Sequence, residues 1–293
     1  MNYFLLIIMI LTNAGETISY KNTKVKNGLD ILFGVSFWSL FLSIISLPLS
    51  LCIGSGQLFE NFNWINFGLI SFGTVLALLS ITFWAKASND MPMSIAEGVS
   101  EIYIAFLTFF SWLLFGGVLT IWHIVLIAVV VLSCLFLAFI QNKQNGKQKN
   151  YNYKRGFIFL AFWVIVYIIR GLIPGALADA GMNGIAYNFI LNLLMFIVVL
   201  IIVLVKKRGS FVGLKETLKD PWLFIIGLCR TASQISLLQL AFTMNLGVVD
   251  AVSVFGIVLI MLYERFIMKE KISWQSYILL IFIAVATAAL VVL

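Results

Sequence analysis

The stretch Pro92–Phe115, PMSIAEGVSEIYIAFLTFFSWLLF, decides the class of fold. It places two carboxylates, Glu97 and Glu101, in an otherwise mostly apolar run that contains no basic residue. A helix needs roughly 20 largely apolar residues to cross a bilayer, and this run is long enough. Charged side chains inside such helices face polar cavities or one another rather than lipid. The run therefore predicts a spanning helix beside a polar cavity.

The rest of the chain has the same composition. Hydrophobic residues make up 62% of the 293 positions and charged residues only 11%, whereas a soluble domain carries about 25% charged residues. Because lipid cannot satisfy backbone polar groups, apolar runs of this length are expected to be helices. Ten such runs cover residues 3–20, 29–53, 65–86, 91–115, 120–140, 156–178, 184–205, 221–243, 247–268 and 272–293. The sequence predicts an all-α polytopic membrane protein with ten transmembrane helices.

The basic residues predict how these helices are oriented. Of the 19 Lys and Arg, 17 lie in or beside the connections that follow the odd-numbered helices. The connections after the even-numbered helices, and both termini, carry none. Basic loops face the cytoplasm, so we expect a multi-pass protein of the cytoplasmic (plasma) membrane with both termini extracytoplasmic. This distribution also accounts for the net charge of +7, so no nucleic-acid partner is expected.

A polar linker at 141–155, QNKQNGKQKNYNYKR, divides the chain into five-helix halves at 1–140 and 156–293. A shift of 153 positions aligns the end of the first half with the end of the second and matches, for example, Val99 with Val252. An odd number of helices in each half requires the two halves to insert in opposite orientations. Inverted repeats are typical of secondary transporters, whose substrate site lies near the midplane between the repeats.

The last 41 residues, SVFGIVLIMLYERFIMKEKISWQSYILLIFIAVATAALVVL, complete this picture. With the five-plus-five helices and short loops, they resemble the drug/metabolite transporter superfamily, specifically its EamA-like ten-helix branch. In that family the fourth helix of a repeat ends in an acidic turn, which Lys269–Ile272 matches, whereas Gly116 and Gly117 occupy this place in the first half. The resemblance implies transport of a small organic solute without ATP.

Six of the ionisable residues inside the predicted spans are candidates for a functional site, and a charge at the centre of a spanning helix costs roughly 3 kcal/mol. They are Glu16, Glu97, Glu101, Arg170, Arg230 and Asp250. Glu97 and Glu101 are one helical turn apart and share a face. Three roles stay open for this pair: ion pairing with Arg170 or Arg230, contact with a solute, or proton binding. Asp250 aligns with Glu97 under the shift and is either a second gate acid or a helix-start acid.

Other polar and aromatic side chains extend the candidate site. Trp163 and Tyr167 share a helical face with Arg170, Gln234 follows Arg230 by one turn, and Asn188 lies in the seventh helix. The aromatic rings either stack on a flat or quaternary-ammonium solute or pack against their neighbours. The fifth and tenth helices carry almost no polar groups at mid-span, so we expect them to face lipid or a second subunit of a homodimer.

Charges of both signs in one cavity suit a zwitterion such as an amino acid. The leading hypothesis is a secondary transporter that works by alternating access, with a proton or a counter-solute as the candidate coupling partner. The alternatives are an organic-cation (quaternary amine) transporter and a flippase of a lipid-linked substrate. The sequence contains no HExxH, GxSxG or P-loop motif and a single histidine, His123. We therefore expect no enzymatic activity, no metal and no cofactor.

Overall fold

The computed structural model of the chain describes residues 2–25, 27–52, 59, 62–115, 120–144, 151–206, 213–241, 256–269 and 273–292. Within these ranges the chain forms twelve helices and no strand. They are α1 (Asn2–Asn22), α2 (Gly28–Cys52), α3 (Trp64–Asp90), α4 (Met93–Ser100), α5 (Ile102–Phe115), α6 (Ile121–Gln144), α7 (Tyr153–Asp179), α8 (Gly184–Lys206), α9 (Leu214–Leu218), α10 (Pro221–Ala241), α11 (Gly256–Phe266) and α12 (Trp274–Val292).

Five segments among the described residues are long and apolar enough to cross a membrane. They are Gly28–Pro48, Trp64–Asp90, Met93–Leu114, Tyr153–Asp179 and Gly184–Lys206. Two shorter apolar helices cover Ile124–Leu137 and Trp274–Ala286. The prediction of an all-helical chain with membrane-length apolar helices is therefore confirmed.

The segment predicted as one helix at 91–115 is divided at Glu101 into α4 and α5. The Ile104 N–H donates to the Glu101 carbonyl at 3.0 Å, a three-residue spacing that tightens the turn. The Ser100 hydroxyl and the Glu101 N–H both donate to the Glu97 carbonyl, at 2.7 and 3.2 Å. Serine hydroxyls compete with the backbone in this way and bend helices. The run predicted at 91–115 is therefore present as the apolar segment Met93–Leu114, with a tightened turn at Glu101.

The ends of the predicted polar linker are helical. α6 continues to Gln144, and α7 begins at Tyr153, where the Asn152 side chain caps the first turn by accepting from the Arg155 N–H at 3.2 Å. A short helix that the sequence did not predict, α9, lies in the connection between α8 and α10.

The principal helix contacts run between the two halves of the chain. α1 packs against α10, α3 against α7, α2 against α8, α6 against α12, and α4 against α11. At one crossing, a Cβ added to Gly227 of α10 would lie 2.7 Å from the Trp38 Cβ and 3.0 Å from the Ser39 backbone nitrogen of α2. Glycine at such positions lets membrane helices approach closely. The core is therefore shared between the halves.

Lys21, in the last turn of α1, joins three parts of the chain. Its ammonium group donates to the backbone carbonyls of Ser88 and Met91 at 3.1 and 3.3 Å and to the Tyr151 hydroxyl at 3.2 Å. A cation at the C-terminus of α3 is favourable because the last carbonyls of a helix carry partial negative charge. The connections after α1 and α3 thus meet the residues just before α7.

Two more contacts bring a further connection to the same end of the bundle. The Thr23 hydroxyl donates to the Asp220 carboxylate at 2.7 Å, which links the end of α1 to the start of α10. Arg155 Nε lies 3.3 Å from the Asp90 carboxylate, which links α7 to α3. Four of the connections predicted to be cytoplasmic therefore lie together.

α6 and α12 correspond to the fifth and tenth predicted helices. They pack against each other and expose large apolar side chains, among them Leu132, Phe136 and Phe282. Apolar side chains at this exposure suit lipid or another apolar protein surface. A homodimer through these helices stays a prediction.

Candidate functional site

A cavity lies between α1, α3, α7, α10 and the broken pair α4 and α5. Counted as positions for the centre of a water molecule, its volume is about 70 Å³, and one water needs about 10–15 Å³ on that measure. Seven of the ten predicted site residues line it: Glu16, Glu97, Trp163, Tyr167, Arg170, Arg230 and Gln234. The cavity is polar, and its walls come from both halves of the chain.

Glu16 and Arg230 form an ion pair across the cavity wall. Nη1 of Arg230 donates to Oε1 of Glu16 at 3.0 Å, and the two side chains are 6% and 21% exposed, respectively. The pair joins α1 to α10. The Nε and Nη2 atoms of Arg230 are also buried and donate to no described residue. Among the described residues, Nη1 of Arg230 therefore has an acceptor, whereas the Nε–Nη2 edge has none.

The Glu97 carboxylate is held by neutral donors. Asn13 Nδ2 donates to one carboxylate oxygen at 3.1 Å and Thr17 Oγ1 to the other at 3.3 Å. Both donors lie on α1, one turn apart, so α1 aligns them with α4. Neither of these two hydrogen bonds comes from Arg170 or Arg230, the partners considered from sequence. An ionised carboxylate can accept about four hydrogen bonds, so Glu97 retains capacity to accept from a solute.

Two of the predicted site residues do not line the described cavity, and a third is not among the described residues. Glu101 is buried at the α4–α5 junction, outside the lining. Asn188 donates to the Ser43 hydroxyl at 2.9 Å and accepts from Asn192 at 2.9 Å, so it belongs to a buried polar contact between α8 and α2. Asp250 lies outside the described residues.

Four aromatic rings form one wall of the cavity. Trp163 and Tyr167 are stacked with ring centroids 4.4 Å apart, and Trp84 and Tyr103 contact the Trp163 ring at 4.9 and 5.6 Å. Arg170 lies over the Tyr167 ring at 5.5 Å. Trp84 and Tyr103 were not predicted from sequence, because an aromatic residue in an apolar run is indistinguishable from one that faces lipid.

Arg170 is half-buried and lines the cavity. Its guanidinium contacts the Tyr167 ring, and it makes no ion pair within the described part of the chain. Two acids, Glu16 and Glu97, and two arginines, Arg170 and Arg230, thus surround one space. Such a site can bind a small solute that carries both charges.

Glu264 on α11 is a buried acid that the sequence analysis missed. Its carboxylate accepts from the backbone N–H groups of Met93 and Ser94 and from the Ser94 hydroxyl. Pro92, which precedes α4, provides no side-chain cap. Glu264 therefore caps α4 from another helix and has a structural place outside the cavity lining.

Across the described ranges, no group of three or more His, Cys, Asp or Glu side chains could hold a metal ion. The described cavity walls offer carboxylates, amides, hydroxyls and guanidinium groups, which suit an organic solute.

No family model matches the chain, and no curated protein matches it. A solved structure described as "Crystal structure of protein" is similar, with a TM-score of 0.66 and 14% sequence identity. The match covers 99% of this chain and 96% of that one. At this identity the similarity concerns the fold alone.

Proposed function

We propose that the chain is a secondary transporter of the cytoplasmic membrane, similar in architecture to the EamA-like drug/metabolite transporters, which moves a small zwitterionic solute such as an amino acid. One observation carries the proposal. Glu16 and Glu97 from the first half, and Arg170 and Arg230 from the second, surround one cavity in a bundle of apolar helices. Charged residues inside a membrane protein mark substrate pathways when they line such a cavity.

The pairing of helices supports two repeats. If α1 corresponds to α7 and α3 to α10, the α1–α10 contact is the counterpart of the α7–α3 contact. The α2–α10 and α8–α3 contacts correspond in the same way. Reciprocal packing of this kind is what a two-fold relation between halves produces, and inverted repeats place a substrate site where they meet.

The contacts at one end of the bundle support alternating access. Thr23–Asp220 and the Glu264 cap of α4 connect the first half to the second, and Arg155–Asp90 connects the first half to the start of α7. In the proposed topology this end is cytoplasmic, so these contacts hold the halves together on the cytoplasmic side. Transport then requires them to separate, while the opposite ends close.

An organic cation is the second candidate solute, and the four aromatic rings favour it. Stacked Trp163 and Tyr167, with Trp84 and Tyr103 beside them, present π faces that attract quaternary ammonium groups. Arg170 over the Tyr167 ring opposes this assignment, because it already occupies one of those faces with a cation.

Counterflow in proteoliposomes tests the proposal. Vesicles containing the full chain and loaded with a mixture of unlabelled amino acids should accumulate labelled amino acid transiently, without ATP and with saturation. Protein-free vesicles provide the background. Accumulation of labelled choline that amino acids do not inhibit would favour the organic cation instead, and equilibration without transient accumulation would favour a channel.

A reporter fused to the C-terminus tests the topology separately. It should be active as an extracytoplasmic fusion, and a fusion at Lys215, in a connection predicted to be cytoplasmic, should report the opposite side. Matching signals from both positions would contradict the proposed orientation.

A further inference from the structure

We propose that the Nε–Nη2 edge of Arg230, together with Tyr20 and Gln234, forms a carboxylate-binding subsite in the cavity. The inference rests on the proposed function, because it assigns one end of the zwitterionic solute to a defined place. All three residues line the cavity and are 3–5% exposed.

The nitrogen atoms of Arg230 are arranged so that one edge of its guanidinium can bind a carboxylate. In a guanidinium group Nη1 lies on the side of Cδ, whereas Nε and Nη2 point the same way and present two parallel N–H donors. Glu16 accepts from Nη1, so the ion pair leaves this two-donor edge unused. Parallel donors match the two oxygens of a carboxylate and bind them in a bidentate manner.

Neighbouring side chains add donors at the same place. Gln234 follows Arg230 by one helical turn, and neither its amide nitrogen nor its amide oxygen has a hydrogen-bond partner among the described residues. The Tyr20 hydroxyl is buried beside the Arg230 guanidinium, close enough to interact with it, and makes no hydrogen bond of normal geometry to a described residue. Buried polar groups without partners are costly and rare in native proteins. Five such atoms on three adjacent residues indicate a shared ligand.

The charges favour a carboxylate over a phosphate. Glu16 already contributes one negative charge at Arg230, so a dianionic group would place two further negative charges against a single guanidinium. A carboxylate adds one, and Arg170 lies in the same cavity. The Gln234 amide oxygen can accept from an ammonium or hydroxyl group of the solute.

A solute whose carboxylate binds at Arg230 has a defined orientation in the cavity. Glu97 retains capacity to accept hydrogen bonds and lines the same cavity as the aromatic rings of Trp163 and Tyr167. A zwitterion with its carboxylate on Arg230 directs its ammonium group towards Glu97.

Equilibrium binding to the full-length protein in nanodiscs tests the subsite. The probes are glycine, L-alanine, L-serine and L-phenylalanine, each compared with its α-carboxamide, which keeps the ammonium group and removes the negative charge. At least one free acid should bind wild-type protein about 10- to 100-fold more tightly than its carboxamide, as expected for hydrogen bonds to a charged group. Equal affinity for each acid and its amide, or no binding by any acid, overturns the proposal.

Substitution of Arg230 tests whether this arginine is responsible for the preference for the acid over its carboxamide. Arg230→Lys keeps a positive charge for Glu16 but removes the two-donor edge, and should weaken binding of the acid about 10-fold or more while leaving the carboxamide unchanged. Arg265→Lys, at an exposed arginine of α11 outside the cavity lining, is the matched control and should bind as wild type. Unchanged affinity in Arg230→Lys contradicts the subsite.

If Arg230→Lys does not fold, binding of the acid to Tyr20→Phe and Gln234→Leu tests the subsite instead. Each substitution removes only polar atoms that have no hydrogen-bond partner among the described residues, so both variants should fold. Each should bind the acid several-fold more weakly than wild type. Wild-type affinity for the acid in both variants overturns the proposal. Discrimination between acid and amide without counterflow supports the subsite and contradicts the transporter. Counterflow without discrimination supports the transporter and contradicts the subsite.

Discussion

The Glu264 carboxylate closes the first turn of α4 through Ser94, accepting from its backbone N–H at 3.1 Å and from its hydroxyl. The N–H of Met93 donates to the other carboxylate oxygen. The first N–H groups of a helix have no partner within the helix, and an anion is favourable beside them. An acid from α11 in the second half therefore completes a helix of the first half that contributes Glu97 to the cavity.

Removing this cap should destabilise the protein. Glu264→Ala leaves two buried N–H groups and a hydroxyl without their acceptor, which costs about 1–3 kcal/mol for each unsatisfied group. The apparent melting temperature in detergent should fall. The control is Glu216→Ala, since the Glu216 side chain is 73% exposed and forms a surface ion pair with Lys219. Equal melting temperatures for the two variants would show that the cap contributes nothing.

The Glu16–Arg230 pair should show strong thermodynamic coupling. Removing one partner of a buried pair leaves an uncompensated charge and costs about 3–5 kcal/mol, so Glu16→Gln should lower the free energy of unfolding substantially. The double variant Glu16→Gln with Arg230→Gln should recover part of the loss, as measured by a double-mutant cycle.

The exposed Lys219–Glu216 pair, with both side chains more than 60% exposed, provides the matched cycle. It should give a coupling of about 0–1 kcal/mol. If the coupling energy of Glu16 and Arg230 were as small as that of Lys219 and Glu216, the result would contradict the buried ion pair.

Two substitutions of Glu97 should distinguish its role in stability from its role in transport. Glu97→Gln keeps one acceptor oxygen for Asn13 or Thr17, so the variant should fold with nearly wild-type stability but lose most counterflow activity because the negative charge is gone. Glu97→Leu removes both acceptors and should also lower the free energy of unfolding by about 1–3 kcal/mol. Wild-type counterflow in Glu97→Gln would exclude the carboxylate from solute binding.

Gly227 should tolerate no side chain. A Cβ at this position would meet the backbone of α2 at 3.0 Å, and backbone moves less readily than a side-chain end. Gly227→Ala should therefore destabilise the protein by about 1–3 kcal/mol through overpacking. Gly68→Ala is the control, because a Cβ there meets nothing within 4 Å. It should be neutral or stabilising by up to about 1 kcal/mol. Equal unfolding free energies for both variants would argue against the close crossing.

The apolar helices were predictable because the thickness of a bilayer sets their length. The run predicted at 184–205 is a helix at Gly184–Lys206, and the run at 65–86 is one at Trp64–Asp90. The tightened turn at Glu101 was not predicted, although Gly98 and Ser100 lie just before it and the Ser100 hydroxyl donates to the Glu97 carbonyl.

The lining of the cavity was predictable to the extent that charge in an apolar run indicates a cavity. That logic found Glu97 and Arg230, but it could not assign their partners, because hydrogen bonds between distant helices leave no local pattern. Asn188 had the same signal as the cavity residues and instead contacts Ser43. Glu264 lies near the end of its helix, where an acid resembles an ordinary solvated residue.

The crossed packing of α1 on α10 and α3 on α7 has a consequence for biogenesis. Synthesis proceeds from the N-terminus, so the first half enters the membrane first. The helices of the second half, which pack against its polar faces, are synthesised later. Until α10 inserts, Glu16 lacks its partner Arg230, and the polar face of α1 has not yet acquired its contacts with α10. Maturation of this protein is therefore completed late, when its second half arrives.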